Sequence, residues 1–259
     1  MVRQPSWHTA GARRVARERR HGAAGQGRAA DRLRGQTMKL VFKRGACSMA
    51  VASALILGGC GGGSTSTTPN DPNPPATPPT TTCSTAGLAA AAASTQKVVC
   101  MLTSKGELVL ELRPDVAPLS SANFLKYVND GYYNNTLVHR VDKATPLFQA
   151  GRFSTQFLPK TPTYPAINSE AANGLKNVRG SLGMARTSDI NSAQAEFYVN
   201  SVDNTGFDRN TTTTPITEGY TIFGKVILGM DVVDNIVAAP ADGIVPKSPI
   251  IIYWAQQVK

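Results

Sequence analysis

From Val98 to the end of the chain, apolar residues come in short runs separated by frequent turn signals, and that spacing restricts the folds open to it. "VVCMLTSKGELVLELR" reads as two strands around a Ser-Lys-Gly turn, a hairpin. Further short apolar runs cover Thr136–Val141, Leu147–Phe153, Gly180–Ala185, Glu196–Asn200 and Thr221–Val226, and "SPIIIYWAQQV" is a final strand. Two stretches carry helical spacing instead. In "PDVAPLSSANFLKYVNDGYY", Pro118 begins a helix with Phe124, Tyr127 and Val128 on one face, and Asn129-Asp130-Gly131 ends it. In "MDVVDNIVAA", Val233, Ile236 and Val237 share a face. Seven or eight short strands and two helices in roughly 160 residues imply a mainly β domain, residues 97–259: one closed antiparallel barrel with helices packed on its openings.

The formal charge of +10 would point to nucleic acid or a membrane surface if the domain carried it. It does not. Residues 1–37 contribute +7 and residues 38–59 another +3, so everything from Cys60 onward is formally neutral and nucleic-acid binding is not expected. "MKLVFKRGACSMAVASALILGGC" has the form of a secretory signal over residues 38–59, its apolar core too short for a permanent membrane span. "LGGC" resembles a bacterial lipobox, with Cys60 as the lipidated residue; the alternative is a plain signal peptide cut nearby. On this reading residues 1–37 are an over-extended start. Gly61 carries no acidic retention signal, so a periplasmic domain anchored by lipid to the outer membrane is expected. Residues 61–82, rich in Gly, Pro, Ser and Thr, read as an extended linker, and an Ala-rich segment expected to hold one short helix completes the region 60–96. Cys83 and Cys100 are left as an even pair in an oxidising compartment. They read as a disulfide, with free or intermolecular thiols as the alternative.

The stretch "TLVHRVDKATPLFQAGRF" sets His139 and Arg140 side by side in a strand. Strict alternation puts Val138 and Arg140 on one face and His139 on the other. "HRV…Q.G", "GSLGMARTSDINSAQAEFYVN" and "GYTIFGKVILGMDVVDNI", in this order, resemble the cyclophilin family of peptidyl-prolyl isomerases over roughly residues 97–259, the exported bacterial branch above all. The resemblance implies a closed eight-stranded antiparallel barrel capped by two α-helices. It also implies proline-containing segments of exported proteins as substrates, a monomer, and no cofactor or metal. A metal site is not expected on the residues either, since two of the three His (8, 21 and 139) lie in the leader.

By the same resemblance Arg140 is the catalytic arginine, and His139 either touches substrate or orients neighbouring backbone. Gln149 positions Arg140 and the peptide. The family's Arg-to-Gln separation is usually eight residues; here it is nine, with one residue inserted in "DKATP". Leu147 falls in the slot of the family's pocket Met and Pro146 in that of its aromatic, so Phe148 either swings in to replace the lost ring or belongs to the core. Ala185 and Arg186 match the strip that hydrogen-bonds substrate backbone. Glu196 and Tyr198 stand where Gln and the second Phe of "QFF" are usual, and Glu196 is expected to pair with Arg140. Phe207 and Tyr220 border the ring. Gly206 occupies the position of the aromatic associated with tight cyclosporin binding, so weak binding of that drug is implied. These swaps suggest reduced turnover. The competing readings are a proline-peptide binding module and a structural envelope lipoprotein.

Overall fold

The computed structural model describes residues 74–259; the leader, the signal segment and Cys60 lie outside them. Eight strands close into one antiparallel barrel: β1 (Val98–Thr103), β2 (Gly106–Leu112), β3 (Thr136–Asp142), β4 (Leu147–Ser154), β5 (Ser181–Met184), β6 (Phe197–Asn200), β7 (Ile222–Leu228) and β10 (Ile251–Gln257). Around the barrel the order is β1-β10-β3-β4-β6-β5-β7-β2. A two-residue pair, β8 (Ala241–Asp242) and β9 (Val245–Pro246), forms a separate small ladder.

The interior is aromatic at its centre. Phe124, Tyr133, Phe148 and Phe197 are all fully buried, and Phe124 and Phe197 meet edge to face with centroids 5.3 Å apart. Phe124 arrives on α2 (Pro118–Asn129), whose buried face includes Tyr127 and Val128 as the periodicity required. Pro118 opens that helix, and its free amides are satisfied from a distance: Leu119 and Ser120 N–H groups donate to the Glu170 carboxylate at 2.9 and 2.8 Å. α3 (Met230–Ala238) buries Val233, Ile236 and Val237. It starts from Gly229, held at φ 96° with a Cβ there only 2.3 Å from the Glu107 carbonyl oxygen, so no other residue fits.

Both helices expected of the domain are present as α2 and α3, and so is the short helix expected before it. The Ala-rich segment folds into α1 (Thr85–Ala93), capped by the Ser84 hydroxyl, which accepts from Gly87 N–H at 3.0 Å. Cys83, at its foot, is disulfide-bonded to Cys100 of β1. The end of the linker is likewise not free. Tyr253 O–H donates to the Pro75 carbonyl at 2.9 Å, Trp254 Nε1 to that of Thr80 at 2.7 Å, and Gln256 Nε2 to that of Thr81 at 2.9 Å. This strap gives the barrel a second small core on its outside. Val98, Cys100 and Leu102 pack there with Tyr253 and Trp254, while Val99 and Met101 face the interior. Both faces of β1 are therefore covered, which is why "VVCMLT" is apolar throughout instead of alternating. None of the described helices is long and apolar enough to cross a membrane.

Candidate functional site

The residues singled out in the sequence converge on the outer surface of β3, β4, β6 and β5. Cross-strand pairing lines up Arg140 with Gln149, Gln149 with Tyr198, Tyr198 with Gly183 and Gly183 with Ile222. Neighbouring strands lie about 4.8 Å apart, so this row carries the surface from a cation to an apolar cluster in roughly 10 Å.

Strict alternation along β3 does not hold. Between Val138 and Arg140 the strand advances two residues while β4 advances one, from Ala150 to Gln149. His139 is the extra residue of a bulge. Val138 and Val141, three apart, both enter the core, and His139 and Arg140 are both turned toward the surface.

The apolar end of the row is a cluster of Leu147, Tyr198 and Ile222, bordered by Ala185, Phe207 and Tyr220. Tyr198 meets Tyr220 at 90° with centroids 6.0 Å apart, and Phe207 meets Tyr220 at 5.1 Å. The Tyr198 ring lies flat across Gly183, where a Cβ would stand 2.2 Å from its Cζ; only glycine leaves that room. Its hydroxyl runs inward and donates to Asn177 Oδ1 at 2.6 Å, and burial pushes the phenol pKa up. Phe148 is not part of this cluster. Period-two alternation in β4 turns Leu147 and Gln149 outward and Phe148 into the barrel, fully buried 6.5 Å from Phe197. The reading in which Phe148 swings in to replace the lost ring and binds substrate is corrected accordingly, and the core reading holds.

Glu196 does not pair with Arg140. Its carboxylate accepts from Gln149 Nε2 at 2.7 Å and Arg152 Nη1 at 3.0 Å, and His139 Nε2 stands 3.5 Å away. The bulge is the reason, since it brings His139 to the same side as Glu196. Burial pushes the Glu196 carboxyl up, but hydrogen bonds from His139, Gln149 and Arg152 outweigh it and leave the pKa below the usual carboxylate range. A carboxyl depressed on folding adds stability above its unfolded pKa and loses it as pH falls through the folded value. The Tm gap between the wild type and Glu196→Gln should therefore be widest near pH 7 and narrow toward pH 3, as thermal melts across that range will show.

Arg140 is instead paired with Asp142, its same-face neighbour two residues on: Nη2 donates to Oδ2 at 2.7 Å. The other Asp142 oxygen accepts the Ala144 and Thr145 N–H groups at 2.9 and 3.0 Å, closing the turn that holds the inserted residue. Arg140 Nε is buried without a partner. Gln149, committed to Glu196, makes no hydrogen bond to Arg140 among the described residues.

Ala185, Arg186, Gln149 and Glu196 also line a neighbouring cavity of about 340 Å³, together with Arg152 and Lys160. The Arg186 guanidinium lies 4.5 Å over the Tyr220 ring and donates to the Gly219 carbonyl at 2.8 Å, so it braces that wall. Asp142, Arg152, Lys160 and Ile222 were not picked out in the sequence. Only Asp142 carried a usable signal, an acid two residues from Arg140 on the same strand.

The model of a family described as cyclophilin type peptidyl-prolyl cis-trans isomerase/CLD matches residues 98–257. The chain is a cyclophilin-type peptidyl-prolyl cis-trans isomerase. It is 40% identical over 171 residues to peptidyl-prolyl cis-trans isomerase A of Dickeya dadantii, covering 64% of this chain and 87% of that protein. It is 42% identical over 160 residues to peptidyl-prolyl cis-trans isomerase B of Escherichia coli, covering 60% of this chain and 96% of that one. Among solved structures, a Cryptosporidium parvum cyclophilin in the presence of the dipeptide Ala-Pro superposes with a TM-score of 0.52 at 26% identity, covering 62% of this chain and 98% of that one. The helix α1, Cys83 and the strap lie before residue 98, so this cyclophilin carries them in addition to the matched domain, with the disulfide joining the two at Cys100.

Proposed function

We propose that the domain accelerates rotation about X–Pro bonds in exported polypeptides, with Arg140 stabilising the twisted amide and the Leu147–Tyr198–Phe207–Tyr220 cluster gripping the proline ring. The carrying observation is the row that places Arg140, Gln149 and Tyr198 side by side on one surface.

Amide resonance sets the barrier at about 18–20 kcal/mol, while cis and trans X–Pro differ by only about 0.5–1 kcal/mol. The reaction needs no nucleophile and no net proton transfer. A catalyst must bind the twisted amide better than either planar form. Twisting returns a lone pair to the prolyl nitrogen and separates it from the carbonyl. A guanidinium, always charged and with donors in fixed geometry, suits that distribution. The apolar cluster holds the ring while the rest of the chain turns.

Support for an exported site of action is the signal-like segment before Cys60 and the disulfide in the folded part. We propose a lipid anchor on Cys60 and a periplasmic domain held at the outer membrane. Mass spectrometry of the membrane-extracted protein should find a lipidated N-terminal Cys60, and Cys60→Ser should move the protein to the soluble fraction. An unmodified, soluble wild type would remove the anchor. The client segments are proline-containing, the domain acts as a monomer, and cyclosporin binds weakly because Gly206 leaves open space where a ring would contact the drug. The second reading is a binding module with little turnover, favoured by the engagement of Arg140 with Asp142.

A further inference from the structure

We infer that Asp142 is a built-in restraint on Arg140, a positioning residue that lowers turnover by opposing the cation's charge and holding its guanidinium to the inserted turn. This rests on Arg140 being the catalytic group. Three observations carry it. The two side chains meet at 2.7 Å, with Asp142 only 11% exposed and Arg140 37% exposed, so the pair is partly shielded from solvent. The carboxylate is itself tied to the Ala144 and Thr145 amides, so it cannot follow Arg140 toward a bound peptide. No other hydrogen bond holds the guanidinium among the described residues, Gln149 being committed to Glu196.

Of the five Arg donors this contact uses one and Nε is buried, so the remaining Nη hydrogens keep their reach to a substrate amide. The opposing charge is different, since it weakens the field felt through every donor at once. It acts most on the twisted state, in which charge has become localised. Asp142 is charged throughout the neutral range. The Arg140 hydrogen bond holds its carboxyl below the usual carboxylate range, and the two turn amides add to this.

The test is Asp142→Asn. Its Oδ1 can keep both turn amides, which leaves an amide N–H₂ facing Arg140 and releases the guanidinium. Isomerisation of an Ala-Pro peptide by the purified protein, with circular dichroism to confirm folding, should rise about threefold to tenfold in kcat/KM. The gain should sit in kcat, with KM changed less than about twofold, and it should vanish in an Arg140→Ala background. A structural effect of the turn would persist in that background. Asp142→Ser, which caps the same turn with a shorter hydroxyl, should behave as Asn does and serves if Asn perturbs the hairpin. An Asp142→Asn enzyme no faster than wild type, or a gain that survives in the double variant, overturns the restraint while leaving Arg140 as catalyst. An Arg140→Ala enzyme as fast as wild type removes both readings together.

Discussion

Arg140→Ala is expected to lower kcat/KM for a proline peptide by about 100-fold or more, with the fold intact. The size follows from the chemistry, since removing a single well-placed donor from a charge-stabilising site costs about 10²–10³ in rate. Here the change also deletes the charge, leaving only the apolar cluster, which binds both planar isomers. Peptide affinity should therefore fall much less than rate. Arg140→Lys should recover a small part, because it restores the charge without the planar fork. The side chain contributes little to packing: it sits at a bulge, over a third exposed, and its only hydrogen bond is to Asp142 among the described residues. A protease-coupled assay reads the rate, and a thermal melt confirms that stability has moved by no more than about 1 kcal/mol. Rates within twofold of wild type would remove the catalytic assignment.

The second large effect concerns stability. Cys83→Ser with Cys100→Ser opens a bond between residues separated by 17 positions, worth about 3 kcal/mol in the chain-entropy model. For a domain of this size that is a fall in Tm of about 6–12 °C. Dithiothreitol should bring the wild type to nearly the same melting temperature. The cross-link also seats the strap, so its loss should expose Trp254 and shift its fluorescence to the red. Activity at low temperature should be unchanged. In the closed barrel β1, which carries Cys100, lies four strands from β6 in either direction, and the disulfide is remote from the apolar cluster at Tyr198. A double variant that melts with the wild type would mean that the strap holds by its hydrogen bonds and apolar contacts alone.

The strand and helix pattern was readable because it rests on local periodicity. Phe124, Tyr127 and Val128 had to share a helix face, and they do. The same rule would have settled Phe148, which alternation in β4 sends inward between Leu147 and Gln149. What failed was the extension of that rule through β3. A bulge is decided by the register of a hairpin against its neighbour, not by the residues within one strand, and the one at His139 reverses the faces on either side of it. Two consequences followed: His139, not Arg140, became the neighbour of Glu196, and Arg140 was left to the closest acid on its own strand. The strap was half visible. "VVCMLT" and "IIIYW" are too apolar for strands with one wet face, which signals a cover, but nothing in residues 75–81 names them as its source. Their contacts are carbonyl groups accepting from Tyr253, Trp254 and Gln256, and every residue has a carbonyl.

Two-dimensional exchange spectroscopy of an Ala-Pro peptide, with the purified protein at a small fraction of the peptide concentration, reads cis–trans interconversion without a coupled protease. Strong exchange cross-peaks are expected with the wild type and stronger ones with Asp142→Asn. With Arg140→Ala the peptide should still bind, as a titration with excess protein will show by shifted resonances, but give no cross-peaks. Undiminished exchange with Arg140→Ala would contradict the catalytic role of that residue.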